Sequence, residues 1–136
     1  MDNQTILIVE DDKDLAKGLS IRLEANGYDT IWASDANLGI DKVINELPDL
    51  ILLDLGLPDD NGFVMIKKLE ARESLSSIPV IIVTGRSPEV YKEPALIAGA
   101  KGFLQKPIDN DELLAAIRKA LPSERKSNSR RFSKEL

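Results

Sequence analysis

Three unbroken apolar runs, and a fourth shorter one, limit the folds open to this chain more than any other feature of its sequence. The long runs cover residues 6–9, 50–53 and 80–83, and the short one opens a strand at residues 103–105. Unbroken runs of this kind are typical of parallel strands that are buried on both faces of a sheet. Parallel strands end at a common edge, where open α/β sheets form their ligand crevice. We therefore expect that edge to collect the polar residues that follow the runs: Glu10, Asp11, Asp12, Asp54, Thr84 and Lys106.

Segments with helical periodicity separate the runs, so strands and helices alternate along the chain. A weaker run over residues 28–33 adds an edge strand, and single helices with short loops imply right-handed crossovers. The pattern predicts an α/β, flavodoxin-like (βα)5 three-layer sandwich with a parallel five-stranded sheet. Strand order 2-1-3-4-5 is favoured because it places the first strand beside the third, which brings Glu10, Asp11 and Asp54 together.

Every predicted helix except the fourth carries a regular apolar stripe. Ser34 or Asp35 is expected to cap the second helix, and a capping box beginning at Asp109 to open the last. The residues predicted to face the core are Leu15, Leu19 and Leu23 in the first helix, Ile40, Val43, Ile44 and Leu47 in the second, Phe63, Ile66 and Leu69 in the third, and Leu113, Leu114, Ile117 and Leu121 in the last.

Pro94 makes the fourth helix irregular, because proline lacks an N–H and clashes with the preceding turn at a cost of ~3 kcal/mol. Proline also disfavours α geometry at the residue before it and fits best at the first helical position. We therefore predict a kink, or a shortened helix that begins near Glu93 and Pro94. In the second case residues 86–92 form a loop.

Length and composition narrow the functional classes. The chain has 136 residues, 43% of them hydrophobic, which suits one domain over residues 1–122. It has no cysteine and no histidine, which excludes disulfides, thiol nucleophiles and the usual zinc ligands. No segment approaches the length needed to cross a bilayer, so a cytoplasmic protein without membrane contact is expected.

Charge divides unevenly between the predicted domain and the end of the chain. Residues 1–122 contain 13 Lys and Arg against 21 Asp and Glu, whereas residues 123–136 contain 5 against 2. The acidic balance of the first part argues against nucleic-acid binding by the domain. Residues 123–136 are polar and basic, which predicts a disordered tail or the stub of a linker.

The predicted meeting of Glu10, Asp11 and Asp54 has a chemical meaning, because crowded carboxylates repel one another. A protein that gathers them either raises their pKa values or binds a hard cation. Mg²⁺ fits best, since it takes oxygen ligands and is often held by carboxylates together with a phosphate. Carboxylates also act as nucleophiles towards phosphorus, and a lysine and a hydroxyl stabilise a transferring phosphoryl group. Asp54, Lys106 and Thr84 supply that set.

Structural roles compete with these readings. Residues 10–12 are equally explained as acids that favour the start of the first helix, where the helix dipole stabilises negative charge. Asp54 is also able to cap the turn that follows its strand. The conjunction of all these groups at the ends of successive strands favours the functional reading.

These residues make the chain similar to bacterial response regulator receiver domains of two-component phosphorelays, in particular to chemotaxis response regulators. The resemblance covers residues 5–121. It rests on the acids at positions 10–12, on Asp54 before Leu57 and Pro58, on Gly62, on Thr84, on residues 98–100 (Ala-Gly-Ala), and on Lys106 before Pro107.

The resemblance implies specific roles. It implies that Asp54 accepts a phosphoryl group and that Lys106 pairs with a phosphoryl oxygen. Mg²⁺, for which Mn²⁺ would substitute, is then held by Glu10, Asp11, Asp54 and the Gly56 carbonyl. Thr84 and Phe103 act as switch residues. A cis Lys106-Pro107 bond is expected. Gly56 and Arg86 depart from the family pattern: Gly56 has no side chain to shield or orient an attacking water, and Arg86 places a cation at the rim.

The implied partners are a sensor histidine kinase or phosphotransfer protein, and a downstream protein effector that binds the face of helix four, strand five and helix five. A monomer or weak dimer is expected. The resemblance implies a signalling switch and not an enzyme, one that catalyses only its own phosphotransfer and slow autodephosphorylation. The rivals are an aspartate-based phosphatase, a nucleotide binder and an unphosphorylated pseudo-receiver. An aspartate-based phosphatase of the commonest fold carries Asp-x-Asp on its first strand, whereas this strand ends in Glu10, Asp11 and Asp12. A nucleotide binder needs a phosphate loop after the first strand, and this chain has none. A pseudo-receiver usually lacks one of the acids or the lysine, and none of them is missing here.

Overall fold

A five-stranded parallel sheet forms the middle layer of the molecule, seen in a computed structural model that describes residues 3–58 and 62–121. The strands are β1 (Thr5–Val9), β2 (Asp29–Ala33), β3 (Leu50–Leu53), β4 (Val80–Thr84) and β5 (Gly102–Gln105). Their order is β2-β1-β3-β4-β5, so the predicted order 2-1-3-4-5 is confirmed. Every strand pair is parallel, and β2 lies at one edge as expected.

Helices cover both faces of the sheet. They are α1 (Lys13–Ala25), α2 (Ala36–Glu46), α3 (Gly62–Glu70), α4 (Pro88–Ala98) and α5 (Asn110–Ala120). One hydrophobic cluster joins the sheet to α1 and α5, and a larger one joins it to α2, α3 and α4. The flavodoxin-like three-layer arrangement is therefore confirmed.

The central strands explain why the apolar runs are unbroken. In β1, Leu7 and Val9 face the larger cluster, whereas Ile6 and Ile8 face the smaller one. All four side chains are at most 1% exposed. Because each such side chain stabilises the fold by about 1.5–3 kcal/mol when it leaves water, both faces of the strand must be apolar.

Aspartates begin three of the helices. Asp12 accepts hydrogen bonds from the N–H groups of Asp14 and Leu15 at 3.0 and 3.1 Å, and Asp109 accepts one from Glu112 at 3.0 Å. Of the two candidates for capping α2, it is Asp35 that accepts from the N–H of Leu38. Such caps satisfy backbone donors that the first helical turn leaves unpaired, each at a gain of about 1 kcal/mol.

The apolar stripe of α2 differs from the prediction. Val43 is buried, but Ile44 is 41% exposed, and Leu47 ends the helix at 63% exposure with a left-handed φ of 47°. The helix instead packs through its small residues Ala36 and Gly39. A Cβ on Gly39 would lie 3.1 Å from the Met65 side chain and 3.2 Å from that of Val9, so a larger residue would hold α2 away from its neighbours.

The remaining predicted stripes agree with the structure. Residues Leu19, Leu23, Ile66, Leu69, Leu113, Leu114, Ile117 and Leu121 are buried, and Leu15 and Phe63 are half-buried.

Pro94 does not shorten α4. The helix runs without interruption from Pro88 to Ala98, so the alternative of a start near Glu93 with a loop over residues 86–92 was wrong. The other alternative, a kink at Pro94, stays a prediction. The carbonyl that loses its helical partner belongs to Val90, four residues earlier, and Val90 is 59% exposed. An unpaired carbonyl costs less free energy at an exposed residue than at a buried one, which favours the continuous helix. Pro88 begins the same helix at a position that suits proline.

No helix in residues 3–58 and 62–121 is long and apolar enough to span a membrane. The predicted tail at residues 123–136 lies outside the described residues, so its disorder stays a prediction.

Candidate functional site

The carboxyl edge of the sheet holds Glu10 and Asp54 in place through their backbones. The Asp54 N–H donates to the Val9 carbonyl at 3.1 Å, and the Glu10 N–H donates to the Ala33 carbonyl at 3.0 Å. Both residues thus extend the hydrogen-bond ladder just past their strands. Glu10 is 3% exposed and Asp54 8% exposed, so both carboxylates are largely removed from water.

Glu10, Asp11 and Asp54 form a group able to hold one cation. Each offers a carboxylate oxygen, and these oxygens all lie within 4.8 Å of one another. Glu10 and Asp54 are buried, whereas Asp11 is exposed at the mouth of the site. Carboxylate oxygens with open access to water suit Mg²⁺, which keeps part of its hydration shell in proteins. The donor set therefore fits the expected metal.

Lys106 contacts two of these carboxylates. Its Nζ forms an ion pair with Asp54 Oδ2 at 3.0 Å and a second one with Glu10 Oε1. The Lys106 N–H donates to the Thr84 carbonyl at 2.8 Å, and the predicted cis bond between Lys106 and Pro107 is confirmed. The ammonium group offsets part of the negative charge that the buried acids concentrate.

Burial and hydrogen bonding shift the pKa values of these groups in different directions. Burial raises the pKa of Glu10, and Lys106 and the Asp12 N–H only partly oppose it. Burial also raises the pKa of Asp54, but the Gly56 N–H, Lys106 and Thr84 outweigh it, so that pKa is lowered. For Lys106, burial acts downward, and the bonds to Glu10 and Asp54 leave its pKa raised. Asp54 and Lys106 thus form a charged pair.

Thr84 brings a hydroxyl to the same place. It ends β4, is 1% exposed, and its Oγ1 accepts a hydrogen bond from the Arg86 N–H at 3.3 Å. A hydrogen bond from its side chain to Asp54 contributes to the lowered pKa of that carboxyl. Thr84 therefore lies close enough to Asp54 to favour its ionised form.

Gly56 lies beside the Asp54 carboxylate, whereas Phe103 lies on β5 and packs against the hydrophobic core. The Gly56 N–H donates to Asp54 Oδ1 at 3.0 Å, so the glycine lies beside the carboxylate. Phe103 lies on β5 next to Ile82 and packs, half-buried, against the larger hydrophobic cluster. Its role as a switch residue, like the Gly56 carbonyl as a metal ligand, stays a prediction.

Residues 10–12 divide between the two interpretations in their positions, while the role of Glu10 and Asp11 as metal ligands stays a prediction. Asp12 caps α1, as the structural reading proposed. Glu10 and Asp11 turn towards Asp54, as the functional reading proposed. Glu10 Oε2 also accepts the Asp12 N–H at 3.2 Å, so the cap and the acidic group are connected.

Gly62 is required where α3 begins beside Asp54. A Cβ at Gly62 would lie 2.9 Å from the Leu55 side chain and 3.0 Å from the Asp54 carbonyl oxygen. Any other residue would push the helix away from the loop that carries Asp54.

Sequence reasoning missed two contacts of Glu10. One is its ion pair with Lys106, which joins residues 96 positions apart. The other is a hydrogen bond at 2.7 Å from the indole N–H of Trp32, on the edge strand β2, to the Glu10 carbonyl. A tryptophan in an edge strand beside the predicted acids was the available signal for the second.

Comparison with known proteins agrees with this geometry. The family model for the response regulator receiver domain matches residues 6–118. The chain is 37% identical over 123 residues to "Response regulator ArlR" of Staphylococcus saprophyticus, covering 90% of this chain and 54% of that protein. It is 40% identical over 116 residues to the ArlR protein of Staphylococcus aureus strain MW2, covering 85% and 52%. The chain thus spans about half the length of these relatives.

Solved structures show the same architecture. A CheY-like response regulator receiver domain protein from Methanospirillum hungatei superposes with a TM-score of 0.79 at 31% identity, covering 87% of this chain and 93% of that one. Chemotaxis response regulator CheY4 of Vibrio cholerae superposes with a TM-score of 0.81 at 26% identity, covering 88% and 100%.

Proposed function

The chain belongs to the response regulator receiver domain family, whose members act as signalling switches, and we propose that its Asp54 accepts the phosphoryl group. The observation that supports this best is the convergence on Asp54 of two further acids, a hydroxyl and an ammonium group. The donor would be a phosphohistidine on a sensor histidine kinase or on a phosphotransfer protein.

The reaction uses Asp54 as a nucleophile. Its lowered pKa keeps the carboxylate ionised, and one of its oxygens attacks phosphorus. The bond from phosphorus to the histidine nitrogen breaks, and that nitrogen keeps the electron pair. The products are an aspartyl phosphate on Asp54 and an unphosphorylated histidine on the donor protein.

Glu10, Asp11 and Asp54, together with the Gly56 carbonyl, would hold Mg²⁺, and Mn²⁺ would substitute for it. A bound divalent ion offsets the charge on the transferring phosphoryl group and on the acids around it. Glu10 is buried and its backbone is held by Ala33, which orients its carboxylate before any ion binds.

Lys106 and Thr84 would stabilise the phosphorylated state. Lys106 already reaches Asp54 Oδ2, so a small movement transfers its ammonium group to a phosphoryl oxygen. The Thr84 hydroxyl would donate a hydrogen bond to another oxygen, and Phe103 would follow its movement. Charge-assisted hydrogen bonds of this kind are about twice as strong as neutral ones.

The output surface we propose is the face of α4, β5 and α5. A groove of about 740 Å³ extends onto this face from the amino end of the sheet, where Asp49 and Pro79 line it. On the face itself its lining includes Lys92 of α4, Lys101 beside β5 and Lys119 of α5. Its apolar floor includes Leu96 and Leu104. We infer that a downstream protein effector binds this face and that the domain works in the cytoplasm, without contact to nucleic acid or membrane, as a monomer or weak dimer.

Labelling with a radioactive phosphoryl donor tests whether Asp54 is the phosphoacceptor. Acetyl phosphate or a phosphorylated histidine kinase should label the protein only when Mg²⁺ or Mn²⁺ is present. Asp54→Asn should abolish the label, whereas Asp111→Asn, which removes an exposed acid from α5, should keep it. Label on another residue, or full labelling of the Asp54 variant, would contradict the proposal.

Metal titration tests the acidic group separately. Asp11→Ala should bind Mg²⁺ much more weakly than the wild type, and Asp41→Ala, which removes an exposed acid from α2, should bind it equally well. Equal affinity in both variants would show that Asp11 is no ligand.

An unphosphorylated pseudo-receiver is the alternative function. Such a protein would bind its partner equally well with and without Mg²⁺ and a phosphoryl donor.

Lys106→Ala tests whether Lys106 couples phosphorylation to the conformational change in α4 and β5. This variant should still bind Mg²⁺, because the three carboxylates remain, but phosphorylation should no longer change amide exchange in α4 and β5. An unchanged response would remove Lys106 from the switch.

A further inference from the structure

Arg86 lies over the gap that Gly56 leaves beside Asp54. A Cβ placed on Gly56 would be 3.7 Å from Arg86 Nε, 3.7 Å from Arg86 Nη2 and 3.7 Å from Asp54 Oδ1. Glycine thus leaves open a space that borders the guanidinium group and the carboxylate alike. A phosphoryl group on Asp54 extends a few ångström beyond the carboxylate, into the neighbourhood of this cation.

Tyr91 holds the guanidinium group in that position. Arg86 Nη1 donates to the Tyr91 hydroxyl at 3.2 Å, and Arg86 Cζ lies 5.3 Å from the centre of the Tyr91 ring. The tyrosine belongs to α4 and packs against the larger hydrophobic cluster, so its own position is restricted. An aromatic support of this kind reduces the entropy that an exposed arginine loses when it binds an anion.

The orientation of the guanidinium group leaves its binding edge free. Nη1 is used by Tyr91, whereas Nε and Nη2 face the Gly56 gap, and these two form the edge that binds two oxygens of a phosphate side by side. Within residues 3–58 and 62–121, no carboxylate lies within ion-pair distance of Arg86. Its positive charge is therefore available to an incoming anion.

We infer that Arg86 is a second cationic ligand of the phosphoryl group, which it binds through Nε and Nη2 while Nη1 stays on Tyr91. This inference rests on the proposed function of Asp54 and adds a residue to it. The contact connects the phosphoryl group to α4 through Tyr91. It also involves Thr84, because the Arg86 N–H donates to the Thr84 hydroxyl oxygen, so movement of one residue affects the other.

Titration with beryllofluoride in the presence of Mg²⁺ tests the inference, since this anion binds carboxylates non-covalently in the shape of a phosphoryl group. Arg86→Ala should weaken its binding about tenfold, the loss of one charge-assisted contact. Arg86→Lys should weaken it about threefold, because an ammonium group cannot bind two oxygens side by side. Arg118→Ala removes an exposed arginine near the far end of α5 and should leave the affinity unchanged.

A change at Gly56 gives an independent measurement. Gly56→Met should displace the guanidinium group and reproduce the loss of Arg86→Ala. Combined with Arg86→Ala it should add no further loss, which a merely structural role of either residue would not produce.

The outcomes separate this inference from the proposed function. Wild-type and Arg86→Ala proteins that bind beryllofluoride equally well would overturn the role of Arg86 and leave Asp54 as the phosphoacceptor. A wild type that binds none with Mg²⁺ present would overturn both.

Discussion

Helices α4 and α5 flank the same edge strand and have the same length, yet different forces hold them. Each has 11 residues. α5 buries Leu113, Leu114 and Ile117 against the sheet, whereas the only residue that α4 buries is Ala95. Most of the stability of a helix in a protein comes from such a packed apolar face, so α5 is anchored by the core far better than α4.

The ends of α5 are also better stabilised than those of α4, by a side-chain cap and by the charges of the first and last turns. The Asp109 side chain caps α5, whose first turn is acidic and whose last turn is basic, as the helix dipole favours. Ser87 precedes α4 without a capping bond to the backbone, and its hydroxyl instead donates to the Glu89 carboxylate at 2.6 Å. No basic residue lies in the last turn of α4.

The comparison shows which part of the output face is able to change. α4 also exposes apolar residues, with Val90 at 59% and Ile97 at 78%. A helix with few buried contacts opens or shifts at a lower free-energy cost than one that carries the core. α4 is therefore suited to respond to the phosphoryl group, and α5 to give the partner a fixed surface.

Ile117→Ala is expected to have the largest effect on stability. Ile117 is fully buried, so its truncation should lower the free energy of unfolding by about 2–5 kcal/mol. The matched change Ile97→Ala on α4 should alter it by less than about 0.5 kcal/mol. Urea unfolding measures both, and equal losses would show that α4 is packed as firmly as α5.

Pro94→Ala should stabilise the protein. The change restores one backbone hydrogen bond to the Val90 carbonyl, and we expect a gain of about 1–2 kcal/mol after allowing for the more flexible unfolded chain. Pro88→Ala is the control, because proline at the start of a helix costs no hydrogen bond. A gain from Pro88→Ala as large as that from Pro94→Ala would refute this account of α4.

Removing the side chain before each helix should give a smaller difference in unfolding free energy between α5 and α4. Asp109→Ala should cost about 1 kcal/mol of unfolding free energy, because the Glu112 N–H loses its acceptor. Ser87→Ala should cost less than about 0.5 kcal/mol, since Ser87 makes no such bond. Thermal unfolding of the two variants, measured side by side, decides between this order and the reverse.

The last expected difference between α4 and α5 lies in amide hydrogen exchange, and it involves no change in global stability. Amide hydrogens of α4 should exchange faster than those of α5 in the unphosphorylated protein. Beryllofluoride with Mg²⁺ should slow exchange in α4 several-fold and leave α5 as it was, and hydrogen exchange read by mass spectrometry resolves the two helices. Equal protection in the free state would remove the basis of the comparison.

The positions of the strands, the edge that carries the site and most helix starts follow from local patterns in the sequence. Asp12 and Asp109 cap helices because their carboxylates reach N–H groups two or three residues away. The run at residues 50–53 predicts a buried strand from its own composition, and the position of Asp54 follows from where that run ends. Information of this kind is contained within a few consecutive residues.

Other features depended on distances between parts of the chain that are remote in sequence. α2 turns Gly39 inwards because Met65 and Val9 come so close, and α4 continues through Pro94 at a point where Val90, whose carbonyl loses its helical partner, is exposed. The pairing of Lys106 with Glu10 and the placement of Arg86 beside Gly56 arise only once the strands are aligned. The sequence by itself determined the sheet, its helices and the residues at its carboxyl edge, because apolar periodicity and helix caps act locally. Only the tertiary structure decided which of those residues touch, because contact depends on packing across the whole fold.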